Sequence, residues 1–375
     1  MNTLSEANGN FAIHLLKMLC ESNPSTNVCY SPMSISSALA MVLLGAKGDT
    51  AVQMSQVSCL SPLTCFTCLR AAEKGGTYLR GKEFSTCQKF GKLADTILQC
   101  YLTEHVSLQT FKESCLQFYH SELEQLSFVK AAEESRKHIN TWVSEQTEGK
   151  IPELLSGDSV NSETRLVLVN ALYFKGKWHQ PFHEDCTIEM PFKINQERTV
   201  QMMCQEDTFN IAYVNEVQAQ VLVIPYKGME LSLVVLLPDD GVENNLTFEK
   251  LTSWTKPDFM RSTDVEVFLP KFKLQEDYDM ESVFQRLGMV DVFQGGKADL
   301  SGMSLERDLC LSKFVHKSVV EVNEKGTEAA AATSAIVDYC CACEVSIFCA
   351  DHPFLFFIRH NQTNTLLFCG RFSSP

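Results

Sequence analysis

The sequence predicts an α+β fold, with a helical N-terminal half and large, mainly antiparallel sheets after it. Three observations carry that prediction. Apolar residues recur at helical spacing mostly before Gly149, short β-rich runs crowd the chain from Leu166 onward, and no Pro-, Gly- or Ser-rich linker divides the two regions. With 375 residues and a 45% apolar composition the chain can bury a large core, so a single domain spanning 1–375 is expected.

Taken in order, Phe11, Leu15, Met18 and Leu19 share one helical face near the start. Ser31-Pro32 opens a second helix bearing Ile35, Leu39, Val42 and Leu43. Its apolar run, Ile35 to Ala46, is too short to span a bilayer and reads as a buried helix. Glu134 to Glu145 places Ile139, Trp142 and Val143 on one face, and Gly149 marks the stop. Strands are then expected at Leu166–Val169, Val221–Ile224, Leu231–Leu237, Val265–Leu269 and Phe354–Ile358. One obvious helix interrupts them, Met280 to Leu287, followed by Gly288.

Composition narrows the partners. The net charge of −14 is spread along the chain without a basic stripe, which argues against nucleic acid and favours a basic protein partner. The first residues, Met1 to Glu6, lack the basic stretch and apolar run of a secretory signal. Sixteen cysteines scattered through a chain of this length fit free thiols in a reducing cytoplasm. A cytoplasmic monomer without membrane attachment, metal or cofactor is expected.

The run Phe348-Cys-Ala-Asp-His-Pro-Phe-Leu-Phe-Phe-Ile358 resembles the serpin signature, and Leu168-Val-Asn-Ala-Leu-Tyr-Phe-Lys-Gly-Lys-Trp178 resembles that family's central-sheet strand. Ser31 to Leu39, Leu236-Leu-Pro-Asp239 and Leu269-Pro-Lys-Phe272 fit the family in the same order, so the resemblance covers about the whole chain. The ending Gly370-Arg-Phe-Ser-Ser-Pro375 is similar to the intracellular, ovalbumin-type branch, and within it to the granzyme-B-inhibiting subgroup. Residues 57 to 104 depart from the pattern: they hold Cys59, Cys65, Cys68, Cys87 and Cys100, and the family's expected strand survives only as Ala94-Asp-Thr-Ile-Leu98.

The resemblance makes residues 326–348 an exposed reactive loop. In Thr327, Ala329, Ala331, Thr333, Ala335 and Val337 every second residue is small or uncharged, whereas Glu328 and Asp338 share the other parity. As a strand, the segment therefore turns both carboxylates to one face, and the other can enter a packed sheet without burying a charge. Loop insertion in serpins is a form of strand addition that releases stored strain. The resemblance implies that a protease attacks the loop, forms its acyl-enzyme and is carried along as the cut loop inserts. About 14 residues at roughly 3.3 Å each span on the order of 45 Å.

Gly326 supplies a permissive pivot and Thr327 is the gate, leading the hinge Glu328, Ala329, Ala330, Ala331, Ala332 and Thr333. Family spacing places the reactive bond at Cys340-Cys341, with Tyr339-Cys340 as the alternative. Ser31, Ser34, Asn170 and His316 match the polar cluster that controls sheet opening, and Trp178 matches the point where insertion starts. Ordinary core hydrogen bonding is a compatible role for all five.

The implied partner is a serine protease of chymotrypsin-like fold, elastase-, chymotrypsin- or granzyme-like. Two other classes compete with that reading. An enzyme would need Cys340 or Cys341 with His352 as base, or Cys65-x-x-Cys68 with Cys340, Cys341 and Cys343 as a metal or redox site, and neither has matching support. A non-inhibitory relative would be cleaved without trapping, but such relatives tend to carry bulky or charged residues where this hinge has alanines.

Overall fold

The computed structural model describes residues 4–22, 24–58, 95–103, 109–119, 121, 123–174, 176–194, 198–239, 241–306, 308–325 and 345–375. The N-terminal region is helical, as expected. It contains α1 (Leu4–Ser22), α2 (Pro32–Leu43), α3 (Gly48–Val57), α4 (Gln109–Tyr119) and α5 (Phe128–Gln146), with α6 (Phe248–Trp254) and α7 (Met280–Arg286) following later.

Helix α1 buries Phe11, Leu15 and Leu19, whereas Met18 is only half-buried. Helix α2 is apolar nearly all round because nearly all of it is buried. Ser31 caps it, its hydroxyl accepting from the Ser34 amide, and Pro32 occupies the first turn where its missing N–H costs nothing. Helix α5 begins at Phe128, ahead of the expected Glu134, and is kinked at Ala131. Gly149, at φ +75°, ends the turn that follows.

The strands are β1 (Val28–Tyr30), β2 (Asp95–Thr103), β3 (Leu123–Leu126), β4 (Leu166–Phe174), β5 (Ile188–Phe192), β6 (Arg198–Val214), β7 (Ala219–Pro225), β8 (Leu231–Pro238), β9 (Arg261–Pro270), β10 (Phe272–Asp279), β11 (Leu311–Val322), β12 (Ser346–Cys349), β13 (Phe354–His360) and β14 (Thr365–Phe372). They form two sheets. The five-stranded sheet runs β10-β11-β4-β2-β3, and the larger one runs β1-β14-β13-β8-β7-β6-β9-β12, with β5 paired to β6. β2–β4, β5–β6, β6–β7, β6–β9, β7–β8, β8–β13 and β13–β14 pair antiparallel, and β2–β3 and β9–β12 pair parallel.

Two elements differ from expectation. The atypical stretch still yields a full strand, since β2 pairs with β4 from Asp95↔Tyr173 to Leu102↔Leu166. Helix α6 is a second helix among the later strands, opened by Thr247, whose hydroxyl accepts from the Lys250 amide. Residues 59–94, including Cys59, Cys65, Cys68 and Cys87, lie outside the described residues.

The chain groups into two compact units. One comprises Met1–Phe11, Tyr30–Phe174 and Gln275–Ser318; the other comprises Ala12–Cys29, Lys175–Leu274 and Val319–Pro375. In the first, β4 is buried along its whole length, which requires an apolar run on both faces, and Leu166-Val-Leu-Val-Asn-Ala-Leu-Tyr-Phe174 supplies one with a single polar interruption, Asn170. In the second, Phe272, Phe354 and Phe372 stack in one aromatic group. Gly370 belongs there because a Cβ would lie 2.3 Å from the Phe356 ring and 2.5 Å from the Val28 carbonyl.

Candidate functional site: a polar ring in a sheet seam and the base of the loop

Asn170 is fully buried in the middle of β4, and an unpartnered amide there would cost about 1–3 kcal/mol. Its partner is His316 on the neighbouring β11, whose Nδ1 lies 2.6 Å from Asn170 Oδ1. The other ring nitrogen is 3.1 Å from the Ser31 backbone nitrogen. That amide can only donate, so Nε2 must accept, and the proton of the neutral ring is on Nδ1, from which it donates to Asn170. Burial pushes the His316 pKa down to about 3, which keeps the ring neutral at physiological pH.

The Asn170 amide then donates from Nδ2 to Ser34 Oγ at 2.5 Å, and the Ser34 amide donates to Ser31 Oγ at 3.3 Å. A closed circuit results: Ser31 to His316, His316 to Asn170, Asn170 to Ser34, Ser34 back to Ser31. Every donor points the same way round, and through His316 and Asn170, each a conjugated group that accepts at one atom and donates from another, the hydrogen bonds polarise and strengthen one another. The sequence-predicted residues Ser31, Ser34, Asn170 and His316 are thus brought together by the start of α2 and the β4–β11 seam. A second bond secures one end of that seam, from the Arg165 amide to Ser312 Oγ at 2.9 Å.

In the second unit Trp178 is buried. Its ring stacks on Tyr226 with centroids 4.6 Å apart and meets Phe182 edge-on at 5.9 Å. The indole N–H donates to the Asn323 carbonyl at 2.7 Å, immediately past the end of β11. One residue further, the Phe182 amide donates to the Glu324 carbonyl at 2.9 Å. Glu324 is itself buried and receives Thr187 Oγ1 at 3.0 Å and Lys271 Nζ at 2.9 Å. Burial pushes its carboxyl up, but backbone, Lys271 and Thr187 hydrogen bonds outweigh it and hold the group ionised below its ordinary range. Lys325 pairs with Glu184 at 2.8 Å.

The chain entering the loop is therefore held at three successive residues, by Trp178 and by the turn of 182–187. Sequence reasoning found Trp178 but missed Glu324, Thr187 and Glu184, which carry no pattern of their own; Lys271 stood inside the Leu269-Pro-Lys-Phe272 motif without a role.

Gly326 to Thr333, Tyr339, Cys340, Cys341 and Cys343 lie outside the described residues. His352 does not present a free base: Nδ1 faces Asp351 Oδ1 at 2.8 Å, and Nε2 faces the Pro238 carbonyl at 3.0 Å. Among the described residues no group of three or more His, Cys, Asp or Glu side chains is arranged to hold a metal ion.

The family model described as "Serpin (serine protease inhibitor)" matches residues 6–375. Human Serpin B9 is 65% identical over the full length of both chains. The leukocyte elastase inhibitor of Sus scrofa is 46% identical, again over the full length of both. Among solved structures, uncleaved ovalbumin superposes with a TM-score of 0.87 at 34% identity, covering 100% of each chain.

Proposed function

This chain belongs to the serpin family of serine protease inhibitors, and from that premise we propose that it is a suicide inhibitor. A chymotrypsin-fold serine protease cuts residues 326–348, and insertion of the cut loop beside β11 traps the enzyme as its acyl intermediate. The observation that carries this reading is the sheet seam. The strands β4 and β11, between which a new strand would enter, are hydrogen-bonded neighbours that also share one concentrated polar ring. A ring of this kind is costly to break and gains nothing when half-formed, so it behaves as a latch with two states.

β11 is followed within four residues by the segment whose alternate side chains are small or uncharged. Insertion pairs that segment's backbone with the sheet and lets Thr327, Ala329, Ala331 and Thr333 face inward. Glu328 stays on the outer face. The anchors at Asn323, Glu324 and Lys325 fix where the reversal begins.

We place the reactive bond at Cys340-Cys341, with Tyr339-Cys340 as the alternative, and the target among elastase- or chymotrypsin-like proteases. The nine cysteines that the structure describes are all free thiols, in keeping with a reducing cytoplasm. No helix among the described residues is long and apolar enough to cross a membrane. Each unit is built from three separated stretches of chain, so neither can be excised, and we read 1–375 as one domain.

The test is incubation with pancreatic or leukocyte elastase and with chymotrypsin, followed by denaturing electrophoresis. A covalent band at the summed mass of inhibitor and protease is expected. Cleavage to completion by both enzyme classes with no such band would replace this reading with that of a non-inhibitory serpin.

A further inference from the structure

We propose that Cys186 and Cys204 are a redox modification site, joined into a disulfide by a peroxide-type oxidant. The register of β5 on β6 runs from Phe192↔Arg198 to Ile188↔Met202. The ladder ends at Ile188, but Thr187 is still extended before the turn, so continuing its line two steps sets Cys186 on the side of Cys204. Positions directly opposed in an antiparallel ladder lie about 4.5–5.5 Å apart at Cα and a disulfide spans roughly 4.4–6.8 Å, so a turn that keeps near this line can bring the two cysteines within bonding reach. Between Ile188 and Cys186 the chain passes into the short 3-10 turn Glu184–Cys186, which packs against β6 rather than leaving it.

The two thiols differ in access. Cys186 is exposed and Cys204 is half-buried. Burial, then Glu266, then Cys186 itself push the Cys204 thiol up to about 11. Cys186 therefore meets the oxidant first. Its sulfur attacks one peroxide oxygen, giving a sulfenic acid and releasing the first water. Cys204 then attacks the sulfenic sulfur, the S–S bond forms and the second water leaves. Two thiols lose two electrons and two protons, and one peroxide leaves as two waters.

The position gives the bond a consequence, which rests on the inhibitory reading above. Glu184 in the same turn holds Lys325, and Phe182 and Thr187 on either side of it hold Glu324. Tying the turn to β6 removes its freedom to yield while the loop reverses direction at these residues. Oxidation is expected to slow insertion, so that more inhibitor is cleaved for each protease trapped.

Full-length protein is titrated with hydrogen peroxide, blocked with N-ethylmaleimide, digested without reductant and analysed by mass spectrometry. The expected product is a linked pair of peptides carrying Cys186 and Cys204, two hydrogens lighter than their sum and separated again by dithiothreitol. Recovery of Cys204 as its N-ethylmaleimide adduct, while Cys186 is converted to sulfinic acid or bound to another cysteine, overturns the site. Stoichiometry against a trapped protease is then measured on the same samples. At least a twofold rise is expected in the native protein and none in C186S, which retains all loop cysteines. A linked protein with unchanged stoichiometry overturns the regulatory role but leaves the site. Failure of the reduced protein to trap any protease would instead count against the inhibitory reading, whatever the state of the two cysteines.

Discussion

His316 Nδ1 donates to Asn170 Oδ1 at 2.6 Å, joining β11 to β4 across 146 residues of sequence. The bond exists in this direction only because the Ser31 amide occupies the other nitrogen. Protonating His316 would put a second donor against that amide and open the ring at Ser31.

Acid should therefore loosen the seam. The folded His316 pKa, about 3, lies below its ordinary value of 6.5, so the unfolded chain binds more protons between those limits. The ring's contribution is complete above pH 6.5 and is lost progressively as pH falls toward 3, a change on the order of a few kcal/mol. Thermal midpoints of the native protein and of His316→Gln, which keeps a donor and an acceptor but does not titrate, should converge over that window. A constant difference from pH 7 to pH 4 would show that His316 does not titrate as described.

Asn170→Ala should cost about 2–4 kcal/mol, because it strands the His316 donor and opens a cavity in a fully buried strand. The denaturant midpoint measures the loss. A second readout separates latch from ordinary core: the variant should insert its own uncut loop and lose inhibitory activity faster on mild heating than an equally destabilised Leu168→Ala. Equal rates would leave the ring a purely structural feature.

What the sequence disclosed follows the range of the interaction. Helix α2 was legible because Ile35, Leu39, Val42 and Leu43 declare their face within three turns, and Gly149 and Gly288 announce stops through positive φ. The seven-residue α6 is too short for a period to emerge, and β6 was missed because Gln205, Glu206 and Asp207 break its apolar alternation. Asn170 and His316 were visible only through family resemblance. Nothing local in either segment reports the other. The hold of Thr187 and Lys271 on Glu324, from 137 and 53 positions away, left no local trace at all.

At the gate, Thr327→Arg should bury a guanidinium during insertion at a cost of several kcal/mol, slowing the step that competes with deacylation. The variant should be cleaved at the native rate but with far less covalent complex. Unchanged stoichiometry would refute an inward-facing Thr327.

On the inhibitory reading, cutting the loop once should raise the thermal midpoint, since the freed segment would gain a full set of ladder hydrogen bonds on insertion. Scanning calorimetry before and after a single cut decides it. A midpoint that stays put or falls would favour the non-inhibitory alternative.

The position of the cut sets the target class. Counting from Gly326 puts Cys340 before the scissile bond, and a small apolar side chain there suits an elastase-like pocket. The stretch from there to Phe348 is about one residue shorter than in granzyme-B-inhibiting relatives by family spacing, which keeps Tyr339 open; its ring would fill a deep chymotrypsin-like pocket. Granzyme B requires an acidic residue, and the nearest, Asp338, is two places early. A pocket built to pair a carboxylate rejects a chain without one by orders of magnitude, because its own buried cation is left unpaired. Mass spectrometry of the C-terminal peptide released on complex formation reads the bond directly. The expected peptide starts at Cys341 and comes from elastase. A start at Cys340 with chymotrypsin would move the bond to Tyr339, and a start at Tyr339 would make Asp338 the bait and return the protein to a granzyme-B-like target.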